Sequence, residues 1–157
     1  MQQRLLIISL TIALMSCGYR VTKSLDGQNL IDQSNFKFNQ PMTEKNFDII
    51  DTSTVYKKVP AQNWDYNEYL KFYSNGSYIH VFKKTDFSKT DLYVDKNSVW
   101  RGRFILTGNN IETEGFYPNQ APIKTYYRQV LSGQIKGDTI IINWDKGRTK
   151  YIYIRQY

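Results

Sequence analysis

The chain has 157 residues, 22% of them charged and 41% hydrophobic, which is the size of one ordinary domain and excludes a repeat array or a large multidomain enzyme. Twenty-one basic residues against 14 acidic ones give a net charge of +7. Aromatics make up 15% of the chain, with 13 tyrosines, too many large apolar groups for a disordered basic tail.

The N-terminus carries one positive charge, Arg4, and then a largely apolar run, Leu5-Leu6-Ile7-Ile8-Ser9-Leu10-Thr11-Ile12-Ala13-Leu14-Met15. A short basic region ahead of an apolar core of this length predicts a secretory signal over residues 1–16. The run is too short for a stable bilayer-spanning helix, which needs about 20 apolar residues. That length also disfavours the alternatives, an uncleaved anchor or a buried N-terminal helix.

The next residues, Leu14-Met15-Ser16-Cys17, resemble the lipobox of bacterial lipoproteins, in which a Leu and a small residue precede the acylated cysteine. The resemblance implies a diacylglycerol on the Cys17 thiol, cleavage just before Cys17 and attachment to a membrane through the lipid. The residue count agrees with it. Cys17 is the only cysteine, so no internal disulfide can form, and acylation would cap a thiol that is a liability in an oxidising compartment. Two or more acyl chains give stable anchoring. Cleavage would leave 141 residues with a charge of +6. Gly18, not Asp, follows the cysteine, and the sequence Gly18-Tyr19-Arg20-Val21-Thr22-Lys23 is basic. By resemblance to bacterial sorting patterns, these features imply the outer membrane and its periplasmic face.

Residues 17–45 are polar, rich in Asn, Gln, Ser and Lys, and include Pro41; they read as a tether with little regular structure. From residue 46 the texture changes. Phe47-Asp48-Ile49-Ile50 and Thr54-Val55-Tyr56 predict a first short strand or pair of strands, ended by Pro60. Asn75-Gly76 then sits between two alternating segments and predicts a two-residue hairpin turn. That turn would pair Phe72 with Ile79 and Leu70 with Val81 on one face, and Lys71 with His80 on the other. A second turn at Gly108-Asn109 pairs Leu106 with Ile111, Phe104 with Thr113, Gly102 with Gly115 and Trp100 with Tyr117. It also sets Arg103 opposite Glu114 on a face expected to meet solvent. The facing glycines leave a notch for a bend or a close neighbour. Turns at Gly137-Asp138 and Lys146-Gly147 complete seven strands between about residues 68 and 156. Residues 83–98 form a charged loop, and no stretch shows a sustained helical period.

An all-β antiparallel up-and-down meander of this length must manage its edges, and about eight strands close into a barrel. The sequence Tyr69-Leu70-Lys71-Phe72-Tyr73-Ser74-Asn75-Gly76-Ser77-Tyr78 and the later Gly133-Gln134-Ile135-Lys136-Gly137-Asp138-Thr139-Ile140-Ile141-Ile142, placed after a lipobox and a polar tether, resemble the small lipocalin-like lipoproteins of Bacteroidetes. The resemblance implies a lipocalin-like barrel over residues 46–157; a β-sandwich is the alternative fold.

Chemistry is sparse. His80 is the only histidine, and its predicted strand neighbours supply no nucleophile, so it reads as a strand-face residue. A metal site is disfavoured by one histidine and one cysteine in the chain. Glu112 and Glu114 share a strand face but are answered by Arg101 and Arg103 across the hairpin, so they do not read as a glycosidase pair. Basic residues interleaved with tyrosines at Arg148–Arg155 read as a solvated face rather than a nucleic-acid surface. The aromatics carry the functional colour: Trp100, Phe104, Tyr117 and Trp144 are the expected lining of a barrel mouth. The expectation is therefore a non-enzymatic, lipid-anchored barrel without cofactor, catalytic residue or metal. It would bind a small hydrophobic ligand or serve an envelope-structural role, with a carbohydrate-contacting accessory protein as the alternative. An enclosed apolar cavity would favour the first. A flat row of exposed aromatics would favour the alternative, and a polar cleft with His80 beside a carboxylate and a hydroxyl would point to a small hydrolase.

Overall fold

The computed structural model describes residues 21–23, 29–60, 65–88, 100–118 and 126–156. The expected signal, Cys17 and the start of the tether lie outside these. Two short strands, β1 (Val21–Lys23) and β2 (Asn29–Ile31), pair with each other. Eight more follow: β3 (Tyr56–Lys58), β4 (Asn67–Phe72), β5 (Ser77–Lys83), β6 (Trp100–Thr107), β7 (Asn110–Pro118), β8 (Tyr126–Lys136), β9 (Thr139–Trp144) and β10 (Thr149–Arg155). Each pairs antiparallel with the next, and β10 pairs with β3, so the meander closes into a barrel with no free edge. This is the expected eight-stranded up-and-down architecture.

The hairpin at Gly108-Asn109 has the expected register, with Leu106 opposite Ile111 and Gly102 opposite Gly115. So does the hairpin at Gly137-Asp138, with Ile135 opposite Ile140. The first hairpin does not: Phe72 pairs with Tyr78 and Leu70 with His80, one residue away from the expectation. The reason lies in the turn. The Tyr73 N–H donates to the Ser77 carbonyl at 2.9 Å and the Gly76 N–H to the Tyr73 carbonyl at 3.1 Å. Ser74-Asn75-Gly76 is thus a three-residue loop with its positive φ at Gly76, 76°, rather than a two-residue loop with positive φ at both centres. A one-residue slip exchanges faces. Tyr78, His80 and Phe82 join Glu68, Leu70 and Phe72 on the inner phase, while Lys71 moves to the outer side, away from His80. The displaced apolar residues are covered from outside: Val55, Tyr69 and Val81 form a small buried cluster against which Ile79 and Phe87 pack. Lys71 is buried there, donating to the carbonyls of Thr52 and Thr54, and burial lowers its pKa.

Two further expectations change. Phe47-Asp48-Ile49-Ile50 is not a strand. A single helical turn, α1 (Glu44–Phe47), ends there, held by the Asn46 side-chain oxygen accepting from the Thr43 N–H and hydroxyl at 2.8 and 2.9 Å. The chain then drops the fully buried Ile50 into the end of the barrel core. Nor is the stretch before α1 a loose tether throughout. Phe36 packs edge-on against Phe116 on the outside of β7, ring centroids 4.9 Å apart. The N–H groups of Lys37 and Phe38 donate to the Glu114 carboxylate at 2.9 and 2.7 Å, and the Arg128 guanidinium completes its partners. Glu114 is therefore fully buried on the outer wall, not solvated opposite Arg103.

Candidate functional site

The two ends of the barrel are built differently. The tight turns at Ser74–Gly76, Gly108-Asn109 and Gly137-Asp138 alternate with the other connections and so gather at one end. Ile50, with Met42 and Ile49 against it, fills that end from the α1 segment. Inside lie Tyr56, Leu70, Phe72, Phe104, Ile111, Ile135, Ile140 and Ile142, all buried. A crevice of about 530 Å³ between the α1 segment and the hairpin tips is lined in part by Phe47, Asp51, Asp138 and Arg155. Its charges answer each other, Arg155 reaching Asp138 at 2.5 Å and Asp51 at 3.6 Å. At the opposite end β9 and β10 are joined through a short turn at Asp145–Gly147.

Midway up the barrel the mainly apolar interior gives way to a layer of phenols around a carboxylate. The notch left by Gly102 and Gly115 holds the Tyr78 ring: a Cβ on Gly102 would overlap that ring, and one on Gly115 would lie 3.1 Å from the Tyr78 hydroxyl. Tyr78 is hydrogen-bonded to Tyr117 and Thr113, and burial pushes its phenol well above the usual range. Tyr78 and Tyr153 form a floor facing the opposite end, with Tyr117 rising from it.

On this floor sits Glu68. It projects inward from β4, two residues before Leu70, and is only 5% exposed. Its Oε1 accepts from the Tyr153 hydroxyl at 2.5 Å and contacts His80 Nε2 at 2.6 Å, and its Oε2 meets Lys58 Nζ at 2.6 Å. Burial raises the carboxyl pKa, but hydrogen bonds and charge from His80, Lys58 and Tyr153 outweigh it and hold the value down at about 2. The carboxylate is ionised at neutral pH. The Tyr153 phenol is held far above the ordinary range, by burial first and then by the Glu68 charge.

Above the floor, aromatic rings run around the wall. Phe82 meets Trp100 at 5.3 Å, Trp100 meets Tyr117 at 4.7 Å, Tyr117 meets Trp144 at 6.2 Å, and Trp144 meets Tyr151 at 5.6 Å. Tyr127 joins Tyr117 at 5.9 Å. Lys58 closes the circuit, its Nζ 3.6 Å from the Tyr151 ring centre. Trp100 is 39% exposed and Tyr127 46%, whereas Tyr117 between them is buried, so the row meets solvent at these two rings.

Of the four expected lining residues, Trp100, Tyr117 and Trp144 meet here, as their shared inner phase implies. Phe104 does not. It lies in the closed half, edge-on to Phe72 at 5.0 Å and 2% exposed, because a strand carries its side chains about 7 Å further along with each inward step. Glu68, Lys58 and Tyr153 were not anticipated. The available signal was phase: Glu68 alternates with Leu70 and Phe72, Lys58 with Tyr56, and Tyr153 with Tyr151.

His80 thus stands beside a carboxylate with a hydroxyl close by. The hydroxyl is the Tyr153 phenol, which donates to Glu68 and is held protonated, so it is a poor nucleophile. Among the described residues, Glu68 is the polar partner of His80. The arrangement orders donors and a fixed negative charge rather than activating an attacking oxygen. Among the described residues no group of three or more His, Cys, Asp or Glu is placed to hold a metal ion, and no helix is long and apolar enough to cross a membrane. No protein-family model, curated protein or solved structure matches the chain.

Proposed function

We propose that this chain is a lipid-anchored envelope protein, acylated at Cys17 and held at the periplasmic face of the outer membrane, whose barrel binds a small ligand at its open end without catalysing a reaction. The observation that carries the binding reading is the asymmetry of the interior. One end is packed and plugged, while the other presents partly exposed Trp100 and Tyr127 above an ordered polar floor. Aromatic rings with a few fixed polar groups are the ordinary lining of a small-molecule site. The anchor rests on Leu14-Met15-Ser16-Cys17 and on Cys17 being the only cysteine.

Each half has its own test. Cells expressing the full chain and fed an alkyne-tagged fatty acid are expected to yield labelled protein in the outer-membrane fraction, and Cys17→Ser to abolish both label and membrane retention. An unlabelled wild-type chain would refute the anchor. Native mass spectrometry of the chain, released from mild detergent, is expected to show a co-purifying small molecule that Trp100→Ala loses. An identical mass spectrum for wild type and variant would refute binding at the ring row.

A further inference from the structure

We infer that the open end takes a carbohydrate: a pyranose unit whose C–H face lies on the ring row and whose hydroxyl donates to Gln129. This rests on the reading that the open end binds a ligand. Three observations select the class.

The first is depth. Tyr78 fills the Gly102–Gly115 notch and, with Tyr153 and the ionised Glu68, separates the ring row from the closed half. A long acyl chain would have to pass a phenolic layer and a carboxylate to reach Phe72 and Phe104. The rings above that layer suit a ligand with a flat apolar face.

The second is charge. Glu68 already holds Lys58 at 2.6 Å and His80 at 2.6 Å, so the floor carries no surplus negative charge. The cation–π position over Tyr151 is taken by Lys58 itself. A quaternary or methylated ammonium, the usual occupant of an aromatic cage, finds its place occupied by the protein's own cation.

The third is an unmet acceptor. Gln129 lies opposite Gly115 in the β7–β8 ladder, on the inner phase of β8 between Tyr127 and Leu131. Its Oε1 is shielded from solvent and has no hydrogen-bond partner among the described residues. Buried polar atoms are almost always satisfied, and the exceptions mark a missing partner. An acceptor beside partly exposed aromatic rings calls for a ligand that brings both a donor and an apolar face. A sugar ring does so, since its C–H faces stack on indole and phenol while its hydroxyls donate.

The test uses the full chain in mild-detergent micelles, with ¹H–¹⁵N resonances of the Trp100 and Trp144 indoles as the readout. Maltotriose and chitotriose, laurate and choline are titrated separately. The expected result is saturable indole shifts with at least one saccharide and none with laurate or choline. Gln129→Met should then weaken saccharide affinity by about tenfold, the loss of one hydrogen bond. It should also raise the melting temperature of the unliganded chain, because it removes an unmet buried acceptor. A residue with a purely structural role would not give these opposite signs. Saturable shifts with laurate or choline instead would overturn the carbohydrate class and leave ligand binding standing. No shift with any probe would overturn both. Saccharide shifts that Gln129→Met leaves unchanged would overturn the assignment of Gln129.

Discussion

The closed half of the barrel is held by shape and the open half by charge. Below the tyrosine layer, Ile111, Ile140 and Phe72 are completely buried and offer no polar atom, so stability there comes from apolar area and packing density. Above it, one carboxylate organises an ammonium, an imidazole and a phenol, each removed from water. Such a network contributes little net stability relative to an apolar replacement, yet it is costly to break by removing one member. The contrast is the reason the proposed ligand site is placed in the upper half. A packed, mainly apolar core has little to exchange with a ligand, whereas polar groups fixed in place and fringed by partly exposed rings do.

Breaking the network should give the largest effect. Glu68→Ala leaves Lys58, His80 and the Tyr153 hydroxyl in place without their shared acceptor, and is expected to cost about 3–5 kcal/mol in urea unfolding. The pH dependence sharpens this. Glu68 has a folded pKa of about 2, below its ordinary value of 4.5, so the native state binds fewer protons than the unfolded chain over that interval. Its contribution is fully present above about pH 4.5 and disappears as pH falls toward 2. Urea midpoints measured from pH 6 to pH 2 should therefore fall less steeply for Glu68→Gln than for wild type. Parallel curves would show that the network does not set the acid limb.

The boundary between the halves gives the next effect. Gly102→Ala places a methyl group against the Tyr78 ring, whose hydroxyl is tied to Tyr117 and Thr113. Overpacking of this kind is expected to cost about 1–3 kcal/mol. It should also move the Trp100 indole resonance, since Trp100 meets Tyr117 edge-on at 4.7 Å. In the closed half, Ile140→Val deletes one buried methylene and should cost about 1 kcal/mol with the Trp100 and Trp144 resonances unchanged. An indole shift from Ile140→Val would show that the tyrosine layer does not insulate the two halves.

The same division explains what the sequence made legible. Seven strands and two of the hairpin registers followed from turns whose positive-φ glycines sit in true two-residue loops, Gly108-Asn109 and Gly137-Asp138. Asn75-Gly76 misled because that dipeptide serves a three-residue loop equally well, and the apolar pattern offered a plausible partner for either register. The pattern assumed a solvated outer face. Phe87 and Asp86 cover that face, with Asp86 accepting from Lys57 at 2.6 Å and from Tyr69 at 3.1 Å. Trp100, Tyr117 and Trp144 were legible as large rings on one phase. Glu68 and Gln129 were not, because a polar residue in a strand reads as outward until its register is known. The docking of residues 36–38 was hidden for another reason: it uses backbone N–H groups that every residue possesses.

The smallest effect belongs to the turns, and it separates two glycines that look alike. Gly76 and Gly137 both have positive φ, 76° and 57°, and both connect adjacent strands at the closed end. A Cβ on Gly137 meets nothing within 4 Å, whereas one on Gly76 would overlap the Gln40 carbonyl oxygen. Asn tolerates the left-handed region better than other residues with a side chain. Gly137→Asn is therefore expected to change stability by at most about 0.5 kcal/mol, the range of a surface substitution free of strain. Gly76→Asn meets the same backbone requirement and must also push Gln40 away, which disturbs the neighbouring bond from the Met42 N–H to the Ser74 carbonyl at 3.1 Å. Its melting temperature should fall by several degrees relative to Gly137→Asn. Equal melting temperatures would mean that residues 40–42 do not rest on the first hairpin. The docking of the preceding segment would then have to be carried by Phe36 and Glu114 alone.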